Sequence, residues 1–215
     1  MRHNTDPVSD IAHTPVLWRE VNSLAADAAG IGDGIFVDCT LGEGGHSEEI
    51  LKTLPDMRII GIDQDAEILE LAKARLKGFA GRTDFYNDNF SNISEHIEKY
   101  KGRVSAILYD FGISSYHYDK SGRGFALYKD EPLDMRLDLE GKIDAYQVVN
   151  NYSEKELADI FWNFGEERYA KRIAKAICEG RRREKIKTTA GLEDIVFHSI
   201  PAQKRVKNIH PATRV

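Results

Sequence analysis

Cysteine is scarce in this chain of 215 residues: Cys39 and Cys178 are the only two. They stand far apart, with neither disulfide nor metal-ligand spacing, so a cysteine-stapled fold is excluded and a reducing interior is the default. Both read as small buried side chains. Long apolar runs are missing too. No stretch approaches the roughly 18 residues of a membrane span, and the polar start MRHNTDPVSD does not read as a signal peptide. With no membrane partner indicated, the expected compartment is cytoplasmic. Internal repeats and low-complexity tracts are also absent, which sets aside repeat architectures. What remains, 41% apolar and 30% charged residues, suits one globular domain, or one domain with an insertion.

The net charge of −5 conceals an asymmetry. From Gly165 to Val215 there are 13 Lys and Arg against 6 Asp and Glu, a balance of +7, which leaves −12 for the rest. An acidic body with a basic C-terminal quarter points to an anionic partner approaching from one side. The densest cluster is Arg181, Arg182, Arg183, Lys185 and Lys187. A solvated helical face would have the same composition, so both readings stand at this level.

The segment Val37–Ser47, VDCTLGEGGHS, is the most informative. An apolar strand (Ile35, Phe36, Val37) runs into Asp38, then into a turn with glycine at 42, 44 and 45, then into a helix-forming stretch. Such glycines let backbone approach a ligand, and a helix N-terminus offers free N–H donors. A second strand, Arg58 to Ile62, leads to Asp63, where a carboxylate can bind both hydroxyls of a ribose. Gly42–Ser47 reads G-x-G-x-x-S and so departs from the dinucleotide fingerprint G-x-G-x-x-G. Glu43 within the loop would sit badly against a pyrophosphate and tolerably against a cationic sulfonium and ammonium. S-adenosylmethionine is such a ligand. An ordinary tight turn would also use these glycines, and Asp63 could serve as a turn or capping residue.

Periodicity organises the rest. A helix is expected over Leu17 to Ala29 and another between Asp65 and Gly78, with strands at Ile35–Cys39, Arg58–Ile62, Thr83–Tyr86 and Val104–Phe111. The fourth is apolar enough to be buried on both faces. Strands alternating with helices predict an α/β parallel, doubly wound sheet. Ser114 to Leu139 lacks periodicity and reads as a long functional loop. Helices then take over: one after a Ser153/Glu156 capping box with apolar Leu157, Ile160, Phe161 and Phe164, one over Arg168–Arg182, and one over Gly191–Ser199. The domain boundaries expected are 1–140 for a ligand-binding core with the loop, 141–207 for helices, and 208–215 for a return to the core.

Strand ends in such a sheet converge on one crevice. That gathers Asp38, Asp63, the Asn87–Phe90 loop and Asp110. Phe90 could stack on an adenine or simply fill the core. Asp110 could face the reacting group, cap a helix or pair with an arginine.

A set of longer motifs adds to these readings. HTPVL (His13 to Leu17), VDCTLGEGGHS, GIDQD (Gly61 to Asp65), NFSN (Asn89 to Asn92) and DFGISS (Asp110 to Ser115) occur in order. RGF (Arg123 to Phe125), PLDMRLD (Pro132 to Asp138), GEERYAKRIAKAI (Gly165 to Ile177) and HPATR (His210 to Arg214) follow. Together they resemble the bacterial 16S rRNA cytosine-N4 methyltransferase family (RsmH/MraW). The resemblance implies a Rossmann-like class I methyltransferase sheet with a mainly helical insertion after strand four. It also implies methyl transfer from S-adenosylmethionine to the exocyclic N4 of a cytidine in the decoding region of 16S rRNA, within the small ribosomal subunit. Cofactor positions carry over as Gly44, Gly45, His46, Asp63, Phe90, Asp110 and His117. His117 departs from the pattern, since relatives usually have glutamine there; imidazole can still make one such hydrogen bond.

The family continues past HPATR into further strands, whereas this sequence stops at Val215. Strand four is then expected to be an exposed apolar edge that could pair with a second copy as a homodimer, and cofactor binding is expected to survive better than turnover. Amino-methyltransferases often use an Asp/Asn/Ser-Pro-Pro-aromatic segment at the acceptor amine. Lacking it, this chain offers Asp110 with Ser114 or Ser115 as catalytic candidates. Phe125 or Tyr128 could stack on an unstacked cytidine. A methyltransferase acting on a protein or small molecule is the runner-up, disfavoured by the basic quarter, and a non-catalytic binding module is a third reading.

Overall fold

The computed structural model describes residues 15–30, 34–205 and 209–215. His13 and Thr14 of the HTPVL motif lie outside the described residues. The chain divides into two compact units: residues up to Ser115 with Leu137–Leu139, and Tyr116–Arg136 with Glu140–Val215.

In the first unit the order is α1 (Trp18–Ala28), β1 (Ile35–Asp38), α2 (Gly45–Thr53), β2 (Arg58–Asp63), α3 (Ala66–Arg75), β3 (Thr83–Asn87), α4 (Ile93–Ile97) and β4 (Val104–Leu108). All four strands pair in parallel, in the order β3-β2-β1-β4. The period-2 geometry of a strand sorts the side chains. Phe36 and Ile59 join Ile50, Leu51, Leu69 and Ala72 on one face. Ile35, Val37, Ile60 and Ile62 face the other way, with Tyr86, Phe90 and Ile93 packed against them. Every residue of β1 is buried, as a central strand covered on both faces should be. Arg82 adds a polar clamp: its guanidinium donates to the carbonyls of Leu51, Leu54, Pro55 and Met57 at 2.7–3.1 Å, covering the C-terminal end of α2.

The fourth strand corrects the sequence expectation. It stops at Leu108 rather than Phe111, and none of its residues is fully buried. Asp38, the last residue of β1, pairs with Leu108, so Tyr109 to Phe111 have no ladder to extend. As an edge strand β4 has a neighbour on one side only among the described residues, and Ile107 is 44% exposed.

The second unit is helical, with α5 (Ser115–Asp119) at its start, then α6 (Ala145–Asn151), α7 (Glu154–Asn163), α8 (Ala170–Arg183) and α9 (Thr189–Ser199). Its core is built from Leu157, Phe161, Ile173, Ala174, Ile177 and Val196. The capping box forms: Ser153 accepts from the Glu156 N–H, and Glu156 from the Ser153 N–H. Phe164, expected on the apolar side, lies beyond the end of α7 and is exposed. The long loop is mostly irregular, as expected, but it divides from the first unit at Ser115 and not at residue 140. Backbone pairing explains this: Pro132 bridges Thr188, the Thr189 N–H donates to Glu131, and Leu133 is buried in the helical core. The last residues, given to the core from sequence, fall in this unit too, with Ala212 and Val215 packed on the helices.

Candidate cofactor site

The strand order places a topological switch between β1 and β4, since the chain moves outward through β2 and β3 and then returns to β1's other side. In open parallel sheets the crevice beyond the strand ends at such a point is where ligands bind. Four carboxylates and a histidine gather there in the first unit.

Asp63 ends β2, and its carboxylate is held from two sides. The Gly42 N–H donates to Oδ2 at 2.8 Å and the Asp65 N–H to Oδ1 at 3.0 Å. The glycine loop is therefore tied to the ribose-binding candidate by its own backbone. Gly44 takes φ +78°, left-handed backbone that favours glycine, and opens α2 with no side-chain cap. A Cβ on Gly45 would come within 2.5 Å of Pro15. The first N–H groups of α2 are thus uncapped by side chains, a place suited to an anion. Asp65 instead caps α3, accepting from the Glu67 N–H.

Asp38 is 1% exposed. Ser47 Oγ donates to its Oδ2 at 2.8 Å and the Thr40 N–H reaches Oδ1 at 3.3 Å. Burial pushes its pKa up to about 6, opposed by those two hydrogen bonds and assisted by the charges of Asp63 and Asp110. His46, in the first turn of α2, is 9% exposed. Burial lowers its pKa against the opposing pull of Asp110, whose Oδ2 lies 3.6 Å from Nε2. That is an ion-pair distance rather than a hydrogen bond. His46 Nδ1 is buried and has no hydrogen-bond partner among the described residues. A buried polar atom left unmatched at a helix N-terminus fits a polar ligand group at this place. Thr40 Oγ1 accepts the Asp110 N–H at 2.7 Å, which fixes the chain just past β4.

Phe90, Tyr109 and Phe111 form an aromatic group beyond β3 and β4, with ring centroids 5.6–5.9 Å apart. Phe111 is 75% exposed. Tyr109 and Phe111 stack while Phe90 meets both edge-on, and exposed aromatic faces of this kind are suited to a purine.

The structure thus brings together Gly44, Gly45, His46, Asp63, Phe90 and Asp110. Ser114 and Ser115 follow Asp110 and are half-buried. His117 belongs to the second unit, buried with its ring 5.2 Å from that of Phe125. In the same unit Arg182, Arg183, Lys185 and Lys187 are exposed, while Arg181 is half-buried and donates to the carbonyls of Val149 and Tyr152. Lys185 reaches the Asn150 carbonyl at 3.2 Å, and Lys187 sits 4.0 Å from Glu184. Sequence reasoning missed Thr40 and Ser47. The available signal for Ser47 was a hydroxyl in place of the fingerprint's third glycine.

The model of the MraW methylase family matches residues 10–215. A "Ribosomal RNA small subunit methyltransferase H" of Sulfurihydrogenibium azorense is 45% identical over 95% of this chain and 69% of its own length. Its namesakes in Treponema denticola and Clostridioides difficile are 44% and 45% identical, over 94% and 85% of this chain and 64% and 59% of theirs. The chain therefore spans about 59–69% of the length of these relatives. An rRNA methylase structure from Streptococcus thermophilus overlays at TM-score 0.32 and 18% identity, covering 40% of this chain and 50% of that one, too loosely to bear on function.

Proposed function

Because this chain belongs to the MraW methylase family, we propose that it binds S-adenosylmethionine at the strand ends of its first unit and serves methylation of a cytidine N4 in the decoding region of 16S rRNA. The observation that carries the reading is Asp63, fixed against the glycine loop beside an uncapped helix N-terminus. S-adenosylmethionine supplies an electrophilic methyl group on a positively charged sulfur. Asp63 accepts the ribose hydroxyls, its carboxylate oriented by the Gly42 and Asp65 N–H groups. Phe90 stacks on the adenine. Gly44, Gly45 and His46 hold the amino-acid end, with the α2 N–H groups toward its carboxylate.

The acceptor amine is a weak nucleophile, because its lone pair is delocalised into the pyrimidine ring. Positioning therefore dominates, with nitrogen and methyl carbon held about 3–3.5 Å apart. Asp110, with Ser114 or Ser115, accepts an N–H of that amine and favours its pyramidal form. The basic residues of the second unit hold the RNA. The partner is the small ribosomal subunit in the cytoplasm. Among the described residues no helix is long and apolar enough to cross a membrane.

Two measurements test this. Small subunits incubated with the chain and S-adenosylmethionine should gain N4-methylcytidine by mass spectrometry; bound cofactor with no methylation would leave the chain a binding module. Asp63→Ala removes a charge-assisted acceptor, each such bond being worth about 1.5–3 kcal/mol. Cofactor affinity by calorimetry should fall roughly tenfold or more. Unchanged affinity in a folded variant would take Asp63 out of the site.

A further inference from the structure

Helix α8 carries six Lys and Arg among its 14 residues, against one acid, Glu179. Helical geometry divides these charges between two faces. Ile173, Ala174, Ile177 and Cys178 are buried. Arg181 lies on their side and donates to the carbonyls of Val149 and Tyr152 at the end of α6, where a helix leaves its carbonyls without internal partners. Lys185 does the same for Asn150. These two cations fasten α8 to α6.

The opposite face is different. At 100° per residue Lys171, Arg172, Lys175, Arg182 and Arg183 fall within about 120° of arc, directly away from the buried side. All five are exposed. Lys175 meets Glu179 at 3.9 Å, an ion pair too exposed to hold it firmly. The other four have no hydrogen bond or ion pair with any described residue. From Lys171 to Arg182 the stripe runs about 16 Å along the helix.

We propose that this outward face of α8, without Arg181 and Lys185, is where the chain grips the phosphate backbone of RNA. The inference rests on the reading of the substrate as RNA and assigns the contact surface within it. Phosphate binding needs cations that are solvated and uncommitted, because each contact releases counterions from the nucleic acid. Arg181 and Lys185 are already spent on backbone carbonyls. The face of α8 presents a row of one sign, and an anionic strand is its complement.

The test uses the purified chain and a synthetic RNA hairpin, with affinity measured across a salt series. In the triple variant K171E/R172E/K175E, log affinity against log salt should flatten by about 2–3, since each duplex phosphate contact contributes a slope near −0.9. Affinity at low salt should drop at least tenfold. The variant should fold, because acids at 171 and 172 in the first turn suit the helix dipole and all three positions face solvent. Lys185→Met should keep the wild-type slope. A triple variant with the wild-type slope, or a Lys185→Met slope flattened as much, would overturn the assignment. So would polyglutamate displacing the hairpin at equal charge concentration, which would mark the face as a site for acidic protein. Calorimetry with S-adenosylmethionine separates the two proposals: failure to bind the cofactor with an intact salt response would sink the functional reading and leave this one standing.

Discussion

Asp38 of the sheet unit and Asn150 of the helical unit are buried to nearly the same degree, 1% and 4% exposed, and their surroundings treat them in opposite ways. Asn150 is matched on both sides of its amide: it donates to the Ile186 carbonyl at 2.7 Å and accepts the Ile186 N–H at 3.0 Å. It replaces a missing backbone pairing, and nothing is left over. Asp38 also has partners, yet burial still disfavours its charge, and the neighbouring carboxylates add to the cost. His46 beside it leaves a buried nitrogen unmatched. A buried polar group that balances its surroundings holds a fold, and one that does not marks a place kept for something else.

The comparison is broken most forcefully at Asn150. Asn150→Leu keeps the volume and strands both the N–H and the carbonyl of Ile186 in the core. Each unmatched buried group costs about 1–3 kcal/mol, so unfolding in urea should show a loss of roughly 4 kcal/mol. A loss below 1 kcal/mol would mean that water replaces the amide and that this residue is no structural bridge.

Asp38 responds to pH instead. Its folded pKa of about 6 stands above the ordinary carboxylate value of 3.8, so the folded state binds the proton more tightly. The group's favourable contribution is complete below about pH 4 and is lost as pH rises through 6, a span of roughly 3 kcal/mol. Asp38→Asn removes this titration. The stability of the variant relative to the wild type should climb between pH 4 and 6 and level off near pH 7, other titrations cancelling in the difference. A constant difference across that window would show that Asp38 is not the strained group described.

Much of this was legible in the sequence, and the boundary is instructive. The sheet with its helices and the glycine loop could be read because strand and helix periods, glycines and strand-end acids are local signals. The extent of β4 could not, because Tyr109 and Phe111 are aromatic residues that suit a strand and only the end of β1 at Asp38 stops the ladder. Arg82 and Arg181 were equally opaque. Each binds carbonyls about 25–32 residues away in sequence, and no spacing announces such a clamp. A run of basic residues likewise looks uniform until helical geometry turns Arg181 inward and Arg182 outward. The loop 114–139 read as functional because it lacks period, yet its attachment to the helices runs through the Pro132–Thr188 bridge and the hydrogen bonds around it, which have no sequence signature.

The smallest effect sharpens the contrast between helix starts. Helix α7 begins with a complete capping box, in which Ser153 accepts the Glu156 N–H at 3.3 Å and Glu156 returns the bond at 2.7 Å. Helix α2 begins at Gly44 with no side-chain cap for its first N–H groups. A cap is the ordinary way to satisfy those donors, so its presence at α7 and absence at α2 is the same contrast seen at Asn150 and Asp38. Ser153→Ala should cost about 1 kcal/mol of stability by urea unfolding. Affinity for S-adenosylmethionine should stay within twofold, because no cofactor contact is proposed on α7. At the start of α2 the expected order reverses: saturating cofactor should raise the unfolding midpoint, since a ligand that binds only the folded state stabilises it by mass action. If hydrogen exchange at the first amides of α2 were unchanged by saturating cofactor while calorimetry still recorded binding, the uncapped end of α2 would not be the place that it occupies.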